Sequence, residues 1–213
     1  LIPPEQLEYQ FYELLPGEGG IDDNTQIMAH LNGDQDDVEF PDSSAGGHDF
    51  TATGSVFIDK RAGYLGLAGA FFGGSGSLLS TPTVAEFGLS TVDWTLDFFF
   101  ENNGPLGSEA RMCGHTDAGL TAAGSAFYFR MSSTGFLEMI VSNGTVFTTL
   151  ASTSQVLSGR RHAMGVRSGN DLMLFLDGIL QVTTGIAGSI PACAANFNIG
   201  ARGADNTSFT WQG

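Results

Sequence analysis

The stretch Arg160–Gly178, RRHAMGVRSGNDLMLFLDG, decides the fold. His162, Met164 and Val166 alternate with Ala163, Gly165 and Arg167, and Leu172, Leu174 and Leu176 resume the alternation beyond Ser168-Gly169-Asn170. Period-two alternation on both sides of a glycine-bearing loop marks a β-hairpin. Asp177-Gly178 then accepts the positive φ angles of a tight type I′ turn, so Ile179–Val182 is expected to fold back as a further strand.

Upstream, Val92–Glu101 is the most hydrophobic strand. Trp94, Leu96, Phe98 and Phe100 point one way, while Asp93, Thr95, Asp97, Phe99 and Glu101 point the other. The first set belongs to the core, because large aromatics dominate burial energetics. Further strands are expected at Gln26–Leu31, Tyr64–Leu67, Leu78–Ser80, Ala110–Gly114, Ala126–Met131, Phe136–Val141, Val146–Leu150, Ala194–Ala201 and Phe209–Gln212. Asn143-Gly144 reads as a second type I′ hairpin turn. Many strands without a long core helix predict an all-β fold, a two-sheet antiparallel sandwich occupying residues 25–213 as one domain. The 30 glycines and only 8 Lys+Arg suit strands joined by tight turns.

The net charge is −15 and unevenly placed: residues 1–59 hold 13 of the 23 acidic residues and no Lys or Arg. Such a chain is repelled by phosphate backbones and anionic bilayers, which argues against nucleic-acid and membrane-surface partners. Residues 62–85 carry no charge, but their six glycines interrupt every apolar run, so they do not make a membrane span of about 20 apolar residues. Cys113 and Cys193 lie 80 residues apart in no metal-like spacing and are expected to be two buried free thiols. The sequence opens on Leu1 without a signal-peptide pattern, as a processed chain or a piece of a longer one would.

Residues 1–24 form an N-terminal arm. Leu7, Phe11 and Leu14 sit at i, i+4 and i+7 between Pro3-Pro4 and Pro16-Gly17, giving a short helix with one apolar stripe. That stripe either packs on its own domain or docks on a partner subunit. Asp34, Asp36, Asp37, Glu39 and Asp42 follow within nine residues. They form either a solvated acidic loop or an oxygen-rich site suited to calcium, though not with the spacing of the helix–loop–helix calcium motif.

Several ordered blocks together resemble a laminin-G-like domain of the concanavalin A-like jelly-roll superfamily. They are Met28–Gly33, Asp42–His48, Asp93–Phe98, Arg161–Gly178 and Asn198–Gly203. Similar openings are frequent in tailed-phage virion proteins. The resemblance therefore implies a structural or decoration protein at a virion surface, homo-oligomeric and bound to other capsid or tail proteins. The alternative it implies is an extracellular carbohydrate-binding module recognising cell-surface glycans, with Tyr128, Phe99 and Trp211 as candidate aromatics. Family members that hold calcium use loop carboxylates at one edge of the sandwich. This places Asp42 first and Asp34, Asp36 and Asp37 beside it, although Asn32 stands where an Asp is common. The family also ends on a closing strand of the type Gly-x-Ile-Asp-Glu-Val-Arg, implying a longer chain or a complementing strand beyond Gly213.

Glycoside hydrolases of the same superfamily flank one bond with two carboxylates. Asp97 and Glu101, four residues apart on one strand, lie about 13 Å apart at 3.3 Å per residue, beyond the ~5–9.5 Å such pairs need. No nucleophile elbow is present, and no catalytic residues are assigned. A non-enzymatic protein is expected.

Overall fold

In the computed structural model, residues 24–31, 33–61, 68–73, 76–102, 109–156 and 158–200 are described. The arm with Leu7, Phe11 and Leu14, the strands expected at 64–67 and 209–212, and Trp211 lie outside them. Two antiparallel sheets dominate, as a jelly-roll sandwich requires. One sheet has seven strands in the order β1 (Thr51–Thr53), β4 (Leu78–Thr81), β13 (Phe197–Ile199), β6 (Ala110–His115), β7 (Phe127–Met131), β8 (Phe136–Ser142) and β9 (Phe147–Gln155). The other runs β12 (Ile179–Gly185), β11 (Asp171–Leu176), β10 (Gly159–Ser168) and β5 (Trp94–Asn102). A two-stranded ribbon pairs β2 (Val56–Asp59) with β3 (Gly69–Phe72). Among the described residues the one helical element is a 3₁₀ turn at Ala85–Phe87.

The Arg160–Gly178 hairpin folds as its pattern predicts. Met164 pairs with Phe175 and Val166 with Met173, and Ser168 and Asp171 close a two-residue loop. Gly169 in that loop has φ +59°, and its N–H donates to Asp93 Oδ1 at 2.7 Å. Asp177 and Gly178 both have positive φ, as a type I′ turn demands, and Leu176 pairs with Ile179 across it. Asn143-Gly144 departs from expectation. Ser142 pairs with Phe147, so four residues bridge the strands, and only Gly144 takes positive φ. The Asn143 side chain is the reason: its Oδ1 accepts the N–H groups of Thr145 and Val146, closing a local turn of its own. Gln26–Leu31 likewise forms only an isolated bridge, Ala29 to Asp42.

The core lies between the sheets. Phe129, Met131, Leu137, Met139 and Leu150 of the larger sheet face Ala163, Leu172 and Leu174 of the smaller, all at most 1% exposed. Each large apolar side chain buried there contributes about 1.5–3 kcal/mol. Phe98 meets Phe129 edge-on at 5.2 Å and Trp94 stacks on Phe127 at 5.7 Å, tying β5 to β7. Gly165 makes this approach possible, because a Cβ there would collide with Met139 Sδ and the Phe129 ring. Arg167, on the same core-facing parity, is 1% exposed yet forms no ion pair with a carboxylate of the described residues. Its guanidinium instead donates to the carbonyls of Ser90, Gly169 and Gly188 at 2.6, 2.9 and 3.2 Å, clamping three loops at one end of the sandwich.

Candidate binding surface on the four-stranded sheet

Inward alternation of Trp94, Leu96, Phe98 and Phe100 turns Asp97, Phe99 and Glu101 outward. Each then meets an outward residue of β10 in register: Asp97 opposite Met164, Phe99 opposite His162, Glu101 opposite Arg160. The Phe99 and His162 rings stack with centroids 4.6 Å apart and planes 30° apart, and Phe99 stays 56% exposed. On one side Arg160 Nε donates to Glu101 Oε2 at 2.9 Å. On the other the Asp97 carboxylate is 64% exposed, with the nearer His162 nitrogen at 3.9 Å. At the sheet end Arg161 Nη1 lies 3.1 Å from Asp177 Oδ2, while Asp177 Oδ1 accepts the His162 N–H at 3.0 Å. The row continues across the sheet from Asp97 through Met164 and Phe175 to Leu180, which is 49% exposed. The surface therefore offers an aromatic platform and an apolar strip, with carboxylate acceptors and the Arg160 guanidinium at its margins. A flat ligand with one apolar face and hydroxyls at its edge is complementary to it.

Tyr128, a residue expected from the sequence to meet ligand, is 5% exposed. It alternates with the core residues Phe127 and Phe129, so it faces outward, but the Arg111 guanidinium lies 3.5 Å over its ring and Phe147 packs edge-on against it. Its aromatic face is already occupied by protein, and it presents none to solvent. His162, the partner that makes Phe99 a platform, was not legible as such, because strand register across distant segments leaves no local trace.

The acidic residues do not converge. Asp42 Oδ1 accepts the N–H groups of Met28 and Ser44 at 2.7 and 3.0 Å, and Oδ2 accepts the Ser44 hydroxyl and His48 N–H at 2.6 and 2.8 Å. Burial alone would raise this carboxyl, but those hydrogen bonds hold it below its ordinary value. Asp34 bonds Lys60 at 2.8 Å, and that lysine holds its carboxyl low. Asp36 Oδ1 accepts Gln35 Nε2, and Asp37 Oδ1 accepts the Val38 N–H. Among the described residues no group of three or more His, Cys, Asp or Glu side chains is arranged to hold a metal ion.

A separate cleft of about 280 Å³ is lined by Thr83, Val84, Phe87, His115 and Cys193 among others. His115 Nε2 lies 2.8 Å from the Ala195 carbonyl, so that nitrogen carries the proton. Burial lowers the His115 pKa and raises that of Cys193, keeping imidazole and thiol neutral. Both cysteines are free and buried, as expected. No described helix is long and apolar enough to cross a membrane.

No protein-family model and no curated protein matches the chain. Solved structures do. The binding domain of Paraclostridial Mosquitocidal Protein 1 superposes with a TM-score of 0.65 at 13% identity, over 86% of this chain and 46% of that one. This chain thus spans about half of that structure. Domain 4 of AbnA, a GH43 extracellular arabinanase from Geobacillus stearothermophilus solved in complex with arabinotriose, gives a TM-score of 0.61 at 13% identity, over 87% and 88% of the two chains. Domains LG4-5 of the mouse laminin alpha1 chain give 0.49 at 17% identity, over 66% and 37%. The first two superpositions establish the jelly-roll fold, and at these identities they establish the fold alone.

Proposed function

We propose that this chain is a non-catalytic carbohydrate-binding module acting outside the cell, with the outer face of the four-stranded sheet as its glycan site. The observation that carries the reading is the Phe99–His162 stack. It is a mid-strand aromatic pair left open to solvent and flanked by Asp97 on one side and the Arg160–Glu101 pair on the other. Sugars present an apolar C–H face to an aromatic ring while their hydroxyls reach carboxylates and guanidinium groups alongside. The same fold in an arabinotriose-bound domain of an extracellular arabinanase supports the reading as an analogy. A virion decoration role rests on the sequence blocks only, and no feature of the described residues favours it over glycan binding.

Affinity electrophoresis of the full chain through gels containing plant and microbial polysaccharides tests the proposal. Retardation by at least one of them is expected, together with its loss in Phe99→Ala and retention in Tyr128→Phe. Uniform migration through every gel would overturn it.

A further inference from the structure

We infer that the ligand of this surface is a neutral oligosaccharide, not an acidic or sulfated one. The inference rests on the glycan reading above and specifies its chemistry. Seven of the 8 Lys+Arg lie among the described residues, and none of them is an exposed cation without a carboxylate on it. Lys60, Arg61, Arg130, Arg160 and Arg161 end on Asp34, Asp59, Glu109 with Glu138, Glu101 and Asp177, at 2.6–3.1 Å. Arg111 and Arg167 are 3% and 1% exposed.

At the platform itself, a sugar carboxylate or sulfate would compete with Glu101 for Arg160. That exchange trades one ion pair for another and releases a carboxylate beside the ligand's own charge. The anion would also face Asp97, whose exposed carboxylate has only a weakly placed histidine nearby. The net charge of −15 adds a long-range repulsion. A neutral sugar meets none of these penalties, since its hydroxyls donate to Asp97 and its C–H face covers Phe99. The row from Asp97 through the apolar Met164, Phe175 and Leu180 crosses all four strands. At about 4.8 Å between strands it extends about 14 Å, longer than one pyranose ring, so the site suits a chain of sugars.

Calorimetric titration of the full chain with neutral polysaccharides (arabinan, xylan, mannan) and acidic ones (polygalacturonate, heparin), at about 20 and about 300 mM NaCl, tests this. Binding to a neutral polysaccharide is expected to change less than twofold with salt and to weaken about tenfold or more in Phe99→Ala, with Phe99→Trp restoring it. Tight, salt-sensitive binding of an acidic polysaccharide that is lost in Phe99→Ala would overturn neutrality while keeping the glycan site. Neutral binding indifferent to Phe99→Ala would overturn the assignment to this surface. Heat from neither class would overturn the glycan reading with it.

Discussion

Phe99 and Tyr128 hold matching positions in the two sheets: mid-strand, on the side turned from the interlayer core. Tyr128 is 5% exposed, with Arg111 over its face and Phe147 at its edge. Phe99 is 56% exposed and stacks on His162. Parity alone does not separate a structural aromatic from a ligand platform. What separates them is whether protein already fills the ring's far side. The same contrast holds among carboxylates: Asp42 has all its acceptor sites filled by protein, whereas Asp97 lies open beside the stack. Open groups contribute little to stability and are available to a ligand, while filled ones do the reverse.

Substitution breaks the contrast most sharply at its filled end. Tyr128→Ala empties a packed site and strands a buried guanidinium, and is expected to cost about 4 kcal/mol in urea unfolding. A loss under about 1 kcal/mol would mean that Tyr128 is not held by its contacts. Asp42→Ala leaves the Met28, Ser44 and His48 N–H groups without their acceptor, a cost of about 3 kcal/mol. Phe99→Ala should change stability by less than about 0.5 kcal/mol while weakening polysaccharide binding about tenfold. A large drop in melting temperature in that variant would make Phe99 structural and close the gap between the two aromatics.

Acid titration resolves the filled groups by pH window. The folded-state pKa of His115 is lowered by burial, so the unfolded chain takes up the proton first. Its contribution is complete above the ordinary value of about 6.5 and falls as pH drops below it. Asp42 is also held low, but its loss begins only below about 3.9 and proceeds through its folded pKa. Stability measured from pH 8 to pH 2 should therefore fall in two steps. His115→Asn should flatten the upper step and Asp42→Asn the lower. One step lost in both variants would show the two groups to be coupled.

Much of this fold is written locally. The alternation in Arg160–Gly178 and the Asp177-Gly178 turn need no distant partner, and both strands and turn form where the pattern puts them. Alternation in β5 likewise names the core face correctly. Failures occur where the deciding contact is remote or where a side chain competes with the backbone. Asn143 rebuilds its own turn with its side-chain oxygen. Arg167 sits on a core-facing parity that normally excludes charge, and only carbonyls from three separate loops make that tolerable. Tyr128 and Phe99 carry the same alternation signal, so choosing between them required seeing what packs across each ring.

The smallest expected effect concerns calcium. A carboxylate has about four lone-pair positions, and those of Asp42 are taken by three N–H groups and one hydroxyl. Asp34 is paired with Lys60, and Asp36 and Asp37 bond within their own loop. Calcium needs six to eight oxygens, so binding would require dismantling contacts that stabilise the loop. An ion at 100 times its Kd stabilises a fold by about 2.7 kcal/mol, which for a domain of this size is a shift of about 5–10 °C. Adding millimolar calcium to chelator-treated protein is accordingly expected to move the melting temperature by less than about 1 °C. A rise of about 5 °C that disappears in Asp34→Asn or Asp37→Asn would place a metal in the acidic loop, and the filled carboxylates would then be a resting arrangement that calcium replaces.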